Sequence, residues 1–242
     1  MPARRVITFE QLAYVLIGVA SVLLHLYLLG SRALHHDETL HAEYSWRLYQ
    51  GHGYTHDPLL HGPFLYYWTA LIYLLFGASD TTARLSAALF GMVAVMLPVL
   101  IRRELGRPAA LLASSYLLIS PVFLYVGRFI RHDIFAVTFE LLAVIALVRY
   151  VRSERSFWHY VFAAALGLML TTMETFYLFV LILGVYVVVV LLWEIAPKLL
   201  WWLGGYAVIA GLALKVVPLW AGAIPLVTES QALDVRHQPD NQ

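Results

Sequence analysis

Cysteine is absent from the 242 residues, so the chain can form no disulfide and no thiolate metal site. Charge is scarce as well. Asp, Glu, Lys and Arg together make 13% of the sequence, about half the share of an ordinary soluble domain. The formal net charge is +1, which supplies no basic field for nucleic acid. No repeat at solenoid spacing and no low-complexity segment is present. What fills the space left by charge is apolar: 61% of residues are hydrophobic, against about 45–50% in soluble domains. No stretch reads as a soluble domain.

The apolar residues come in runs. The first, Leu12 to Leu29, follows Arg4 and Arg5. It exceeds the roughly 7–15 residue core of a signal peptide and lacks a small-residue cleavage site, so it reads as a retained span. A crossing needs about 20 apolar residues. Further candidates are Leu85–Ile101, Ala109–Val126, Ile134–Tyr150, Phe157–Thr172, Phe176–Trp193 and Leu199–Ile224. The expected fold is an all-α, polytopic membrane helix bundle of about seven transmembrane helices over residues 1–225. Residues 226–242 turn polar, as a short exposed tail or the end of a truncated chain.

Pro63–Phe76 decides the topology. It is apolar but short, and rich in Tyr, Trp and Phe, which suits an interfacial helix. With it in the interface, Arg4, Arg5, Arg102, Arg103, Arg107, Arg149, Arg152, Arg155 and Lys198 all fall on the cytoplasmic side. If it crossed, the Arg102–Arg107 and Arg149–Arg155 clusters would move outside, against the positive-inside rule. The interfacial reading places the N-terminus in the cytoplasm. It also places two polar segments on one extracytoplasmic face: an outer loop over 31–61 and an outer turn over 127–133.

These segments hold the candidate chemistry. Six of the ten histidines lie between His35 and His61. Asp37 can N-cap a short helix that Gly51 ends, with Leu40, Tyr44 and Leu48 as its membrane-facing stripe. Asp37 and Glu38 would sit at the helix start, with His41 one turn on. Two readings stay open here: a general base with a second carboxylate, or a helix cap with solvated charges. Imidazole and carboxylate ligands suit zinc and its neighbours, but the spacing matches no metal signature. The stretch His56 to Trp68 reads by itself as a membrane anchor. In Gly127-Arg-Phe-Ile-Arg-His-Asp133, Arg128 and Arg131 suit bidentate phosphate contact, or equally a capped turn with arginines reaching to headgroups. Glu140 lies inside a span and Glu174 in the Thr171–Thr175 turn. A carboxylate at membrane depth is a functional hypothesis by default, though the Glu174 turn can simply be wet. His25, inside the first span, reads as a packing residue.

Taken in order, these features resemble the GT-C superfamily of membrane glycosyltransferases. The resemblance rests on Asp37-Glu38 after a first span, then an amphipathic helix and the His56–Trp68 stretch. Ala83-Arg-Leu-Ser-Ala-Ala-Leu-Phe-Gly91, Ser120-Pro121 and the Arg128, Arg131, Asp133 turn follow. It covers residues 5–195 and is similar to protein O-mannosyltransferases and aminoarabinose transferases. It is most specific toward a bacterial and archaeal branch of flippase-activity-associated membrane proteins. Full-size members have more spans and often an outer C-terminal domain, so this chain corresponds to an N-terminal half.

The resemblance implies transfer of a sugar from a polyprenyl-phosphate carrier to a protein or glycan outside the cytoplasm, with inversion. In it Asp37 is the general base, with Glu38 beside it. Arg128, Arg131, Asp133, His61 and Glu174 form the substrate- and phosphate-binding set. Some members use a divalent metal, whose matching ligands here are Asp37 and Asp133. One departure is Met173, where related turns often carry lysine. A non-catalytic component that binds or moves lipid-linked sugars is the alternative function. An ion-coupled transporter, with Glu140 as its acid, ranks third.

Overall fold

The structure is a computed structural model that describes residues 8–56 and 60–223. Arg4, Arg5, Ile224 and the 226–242 tail lie outside the described residues. Two compact units are present, Met1–Leu181 and Ile182–Gln242. Among the described residues every regular element is helical.

In the first unit, α1 (Phe9–Leu26) opens with a capping box in which Thr8 and Gln11 satisfy each other's backbone N–H groups. Next come α2 (His36–Tyr49), α3 (Phe64–Phe76) and α4 (Asp80–Met96), the last running into a 3-10 turn over Leu97–Ile101. They are followed by α5 (Arg107–Ile119), α6 (Pro121–Val126), α7 (His132–Ser153) and α8 (Ser156–Leu170), and then α9 (Thr175–Ala223) begins. Four stretches are long and apolar enough to cross a membrane: Phe9–Leu26, Asp80–Ile101, His132–Ser153 and Thr175–Ala213. The apolar helices α3, α5 and α8 are shorter.

Two expected spans take a different form. Ala109–Val126 is split into α5 and α6 at Ser120. A residue before proline is pushed out of the helical region, and Ser120 is extended, with its hydroxyl accepting from Phe123 N–H to start α6 on Pro121. Phe176–Trp193 and Leu199–Ile224 were expected as two spans, but α9 is one helix of 49 residues. The interval 196–198 brings one proline and no capping side chain, and helical backbone continues through it.

α4 is the hub of the first unit. Ala83, Ala87 and Gly91 repeat every four residues on its buried face. Small residues at that spacing let neighbouring backbones approach, the main source of helix affinity where lipid replaces water. Gly91 is an example: a Cβ there would lie 2.5 Å from His25 Nε2 and 3.2 Å from Gly127 Cα. Beside this stripe Phe64, Phe90, Phe135 and Phe139 meet edge to face. They cap a core built from Leu65, Tyr66, Ile130, Ile134 and Met169.

Both ends of α3 adjoin the ends of other helices. Gly62 N and Phe64 N donate to Thr172 O and Thr171 O, in the turn after α8. The other end leads through Gly77 to Ser79, the N-cap of α4. Gly62 is required by this docking, because a Cβ there would sit 2.1 Å from the Thr171 carbonyl oxygen.

Candidate active site

Two arginines organise the face where α1 ends and α2, α4 and α7 begin. Arg84, on the first turns of α4, is 2% exposed and meets Glu38 of α2, which is 0% exposed. The pair is bidentate: Nε to Oε1 at 2.8 Å and Nη2 to Oε2 at 2.7 Å. The remaining Arg84 N–H groups donate to the carbonyls of Leu29, Arg32 and Ala33. Glu38 in turn accepts from His35 N at 2.9 Å and Ile130 N at 3.4 Å. Burial pushes its carboxyl upward. The Arg84 hydrogen bonds, the His35 and Ile130 N–H groups and the Arg84 charge together outweigh burial and leave it below the usual range.

This corrects the expected cap of α2. The sequence places the N-cap at Asp37, but the helix starts two residues earlier and His35 caps it, its Nδ1 accepting from Asp37 N–H. The reason is reach: Glu38, three residues on, is long enough to close the box back onto His35 N–H. Asp37 is thereby left free of cap duty.

Asp37 instead faces a polar cleft of about 190 Å³ with His41, His61, Arg131, His132, Asp133 and Met173. Arg131 lies between its two acids, Nη1 3.8 Å from Asp37 Oδ2 and Nε 3.3 Å from Asp133 Oδ2. Thus the loop after α1 and the turn before α7 form one site. Arg131 and Asp133 flank the start of α7, so the carboxylate also sits where helix N–H groups favour negative charge.

Three imidazoles make the floor. The His132 ring stands edge-on to His41 at 5.0 Å and to His61 at 5.2 Å. Tyr66 Oη donates to Leu60 O at 2.8 Å and sits 3.1 Å from His41 Nδ1, so it accepts from that nitrogen. His132 Nε2 donates to Gly62 O at 3.2 Å, leaving a buried Nδ1 with no protein partner. Burial, then Arg131 and His61, hold the His41 pKa down at about 4, so that ring is neutral at ordinary pH. His61 has a left-handed backbone (φ +60°), which aims it at Glu174, 2.6 Å away. A hydrogen bond from its own backbone N–H and, against burial, the contact with His61 hold Glu174 below the usual carboxylate range.

The sequence candidates therefore divide. Asp37, Arg131, Asp133 and His61 share the cleft, and Glu174 reaches it through His61. Glu38 is turned into the Arg84 lock. Arg128 lines a different cleft and donates to Leu24 O and Tyr27 O at the end of α1. Glu140 is partly buried along α7 and does not line the cleft. Sequence reasoning set His41 one turn from Asp37 without a task, read Tyr66 as part of a membrane anchor, and gave no site role to Arg84 or His132. The four-residue spacing from Asp37 was the available signal for His41. Among the described residues no three His, Asp or Glu side chains are arranged to hold a metal ion. The cation between Asp37 and Asp133 is Arg131 itself.

The cleft can do one kind of chemistry well. A carboxylate can accept a proton, a guanidinium can meet a phosphate, and the imidazoles of His41, His61 and His132 line the space between. A family model described as dolichyl-phosphate-mannose-protein mannosyltransferase matches residues 60–221. That match holds Arg84, Arg131 and Asp133 and begins after Asp37. No curated protein and no solved structure matches the chain.

Proposed function

Because the chain belongs to the dolichyl-phosphate-mannose-protein mannosyltransferase family, membrane glycosyltransferases that use polyprenyl-phosphate sugar donors, we propose that the Asp37–Arg131–Asp133 cleft is its transfer site. The donor's phosphate meets Arg131, and the acceptor hydroxyl meets Asp37. As Asp37 takes the hydroxyl proton, the acceptor oxygen attacks the anomeric carbon from the face opposite the phosphate. The bond from that carbon to the phosphate oxygen breaks, and its electron pair leaves with the polyprenyl phosphate. Attack from the opposite face inverts the anomeric centre. The leaving charge is met by the guanidinium of Arg131, and the proton on Asp37 returns to water. Asp133 holds Arg131 in place. Glu38, locked on Arg84, is a positioning residue that fixes the start of α2.

The site faces away from the cytoplasm in this reading, supported by the arginine distribution. The acceptor is a protein or glycan hydroxyl there. The observation that carries the proposal is the single guanidinium shared by two carboxylates from segments nearly a hundred residues apart. The test is sugar transfer by the purified protein in nanodiscs, read as polyprenyl phosphate released. Asp37→Asn should lose a factor of about 10²–10⁴ while inserting normally. Full activity in that variant would falsify the assignment.

One observation favours a second reading, binding of lipid-linked sugars without chemistry. Met173 lines the cleft, so the site carries one cation fewer than turns with lysine there. On that reading donor binding survives Asp37→Asn and fails in Arg131→Ala, with no transfer in any variant.

A further inference from the structure

A second cleft, of about 500 Å³, lies between the end of α1 and α6, lined by Tyr27, Arg32, Arg84, Leu124, Tyr125 and Arg128 among others. Three guanidinium groups and no carboxylate line it. Their donors differ. Arg84 is spent: its charge is answered by Glu38, and its five N–H groups go to Glu38 and to three carbonyls. Arg128 uses two N–H groups on Leu24 O and Tyr27 O, which offsets the negative end of α1. Three of its five donors stay open. The Arg32 side chain is exposed. Among the described residues no carboxylate pairs with Arg32 or Arg128.

Two guanidinium groups with no carboxylate partner in one cleft make an anion site, and a phosphate suits their fork of donors. The setting adds a lipid character. The cleft sits at the end of a helix long enough to cross a membrane, where a bilayer crossed by that helix would place its headgroups. Tyr27 and Tyr125 are exposed there, as side chains of that boundary commonly are. Pro121, Leu124 and Leu28 supply an apolar wall.

We infer that this cleft is a binding site for the phosphate of a lipid, held by Arg32 and Arg128, with the tyrosines and leucines against the first carbons of its chain. No carboxylate lines it, so a phosphate held there faces no general base. It is a binding site and not a second reaction centre. Arg84 lines this cleft, and its partner Glu38 is the chain neighbour of Asp37 in α2. The inference does not depend on the transferase reading.

The test uses the whole chain in nanodiscs and two photoactivatable probes, a diacyl phosphatidic acid and a polyprenyl phosphate, with labelled peptides mapped by mass spectrometry. Label is expected on peptides carrying Tyr27 or Tyr125. Arg32→Glu, which leaves the Arg128 contacts to α1 in place, should cut it about tenfold or more, and Arg32→Lys should keep most of it. Labelling by the diacyl probe identifies a bilayer phospholipid as the occupant. Labelling by the polyprenyl probe identifies the carrier, and both outcomes support the site. Asp37→Asn should label as the unmodified protein does, whether or not that variant transfers sugar. Absence of label on these peptides from either probe, or label unchanged in Arg32→Glu, overturns the inference.

Discussion

Replacing Glu38 by glutamine should be among the most destabilising single-atom changes available in this chain. The carboxylate has two oxygens, and each accepts from two donors. Oε1 takes Arg84 Nε and Ile130 N, and Oε2 takes Arg84 Nη2 and His35 N. An amide can satisfy only one of these edges. Turned either way, its NH₂ faces two N–H donors, and a fully buried guanidinium loses its counter-charge. Breaking a buried pair by neutralising one partner costs about 3–5 kcal/mol. For a chain of this size each kcal/mol moves the melting temperature by about 2–4 °C, so a drop of roughly 6–20 °C is expected. The assay is tryptophan-fluorescence melting in detergent, with Asp37→Asn as the comparison, expected within about 2 °C because Asp37 is partly exposed and neither caps nor packs. The pH arm has a definite sign. The folded-state carboxyl of Glu38 lies below its ordinary value of 4.5. Its contribution is therefore complete above that value and lost as pH falls through the depressed one. The loss of stability in that acid window should be smaller in Glu38→Gln than in the unmodified protein. A melting shift under about 2 °C in Glu38→Gln, with the acid loss undiminished, would refute the account of the lock.

Other outcomes follow from the same geometry. His41 titrates near 4 against an ordinary 6.5, so the fold is favoured above pH 6.5 and loses on the order of 3 kcal/mol between there and pH 4. The melting temperature of His41→Gln should show a correspondingly shallower decline over that window. Gly62→Ala drives a methyl into the Thr171 carbonyl and should cost about 1–3 kcal/mol or more, read as a lower melting temperature. An unchanged value would place the start of α3 away from the α8–α9 turn. Single cysteines at Thr39 and Arg131, both exposed, should both react with a membrane-impermeant thiol reagent on intact cells. His132, 2% exposed, is a poor position for such a probe. Reaction at only one site, with both reacting after lysis, would separate the two halves of the cleft.

The extent to which all this could be read from sequence follows the range of the interactions. Apolar runs announced α1, α4 and α7 because length and composition are local properties. Asp37 and Asp133 could be suspected because acids beside membrane-length runs are rare. That Glu38 belongs to Arg84 could not be read, since 46 residues separate them and nothing local marks which of two adjacent acids turns inward. The cap of α2 was misread because Asp is a better cap than His by type, whereas here the capping box is closed by Glu38. The histidine floor draws on α2, the segment before α3 and the start of α7, so only the folded chain assembles it. The break at Ser120 was legible in principle from Ser-Pro, but the apolar run across it hid the extended residue.

Sharing Arg131 between two carboxylates has a kinetic consequence. Arg131 already has two partners, Asp37 and Asp133, so on the proposed transfer reading a donor phosphate must compete with both for the same N–H groups. The exchange would release Asp37 from its contact with Arg131 only once the donor is seated. The proposed reaction is then ordered, donor before acceptor, and a free phosphate at high concentration should compete with the donor at the same side chain.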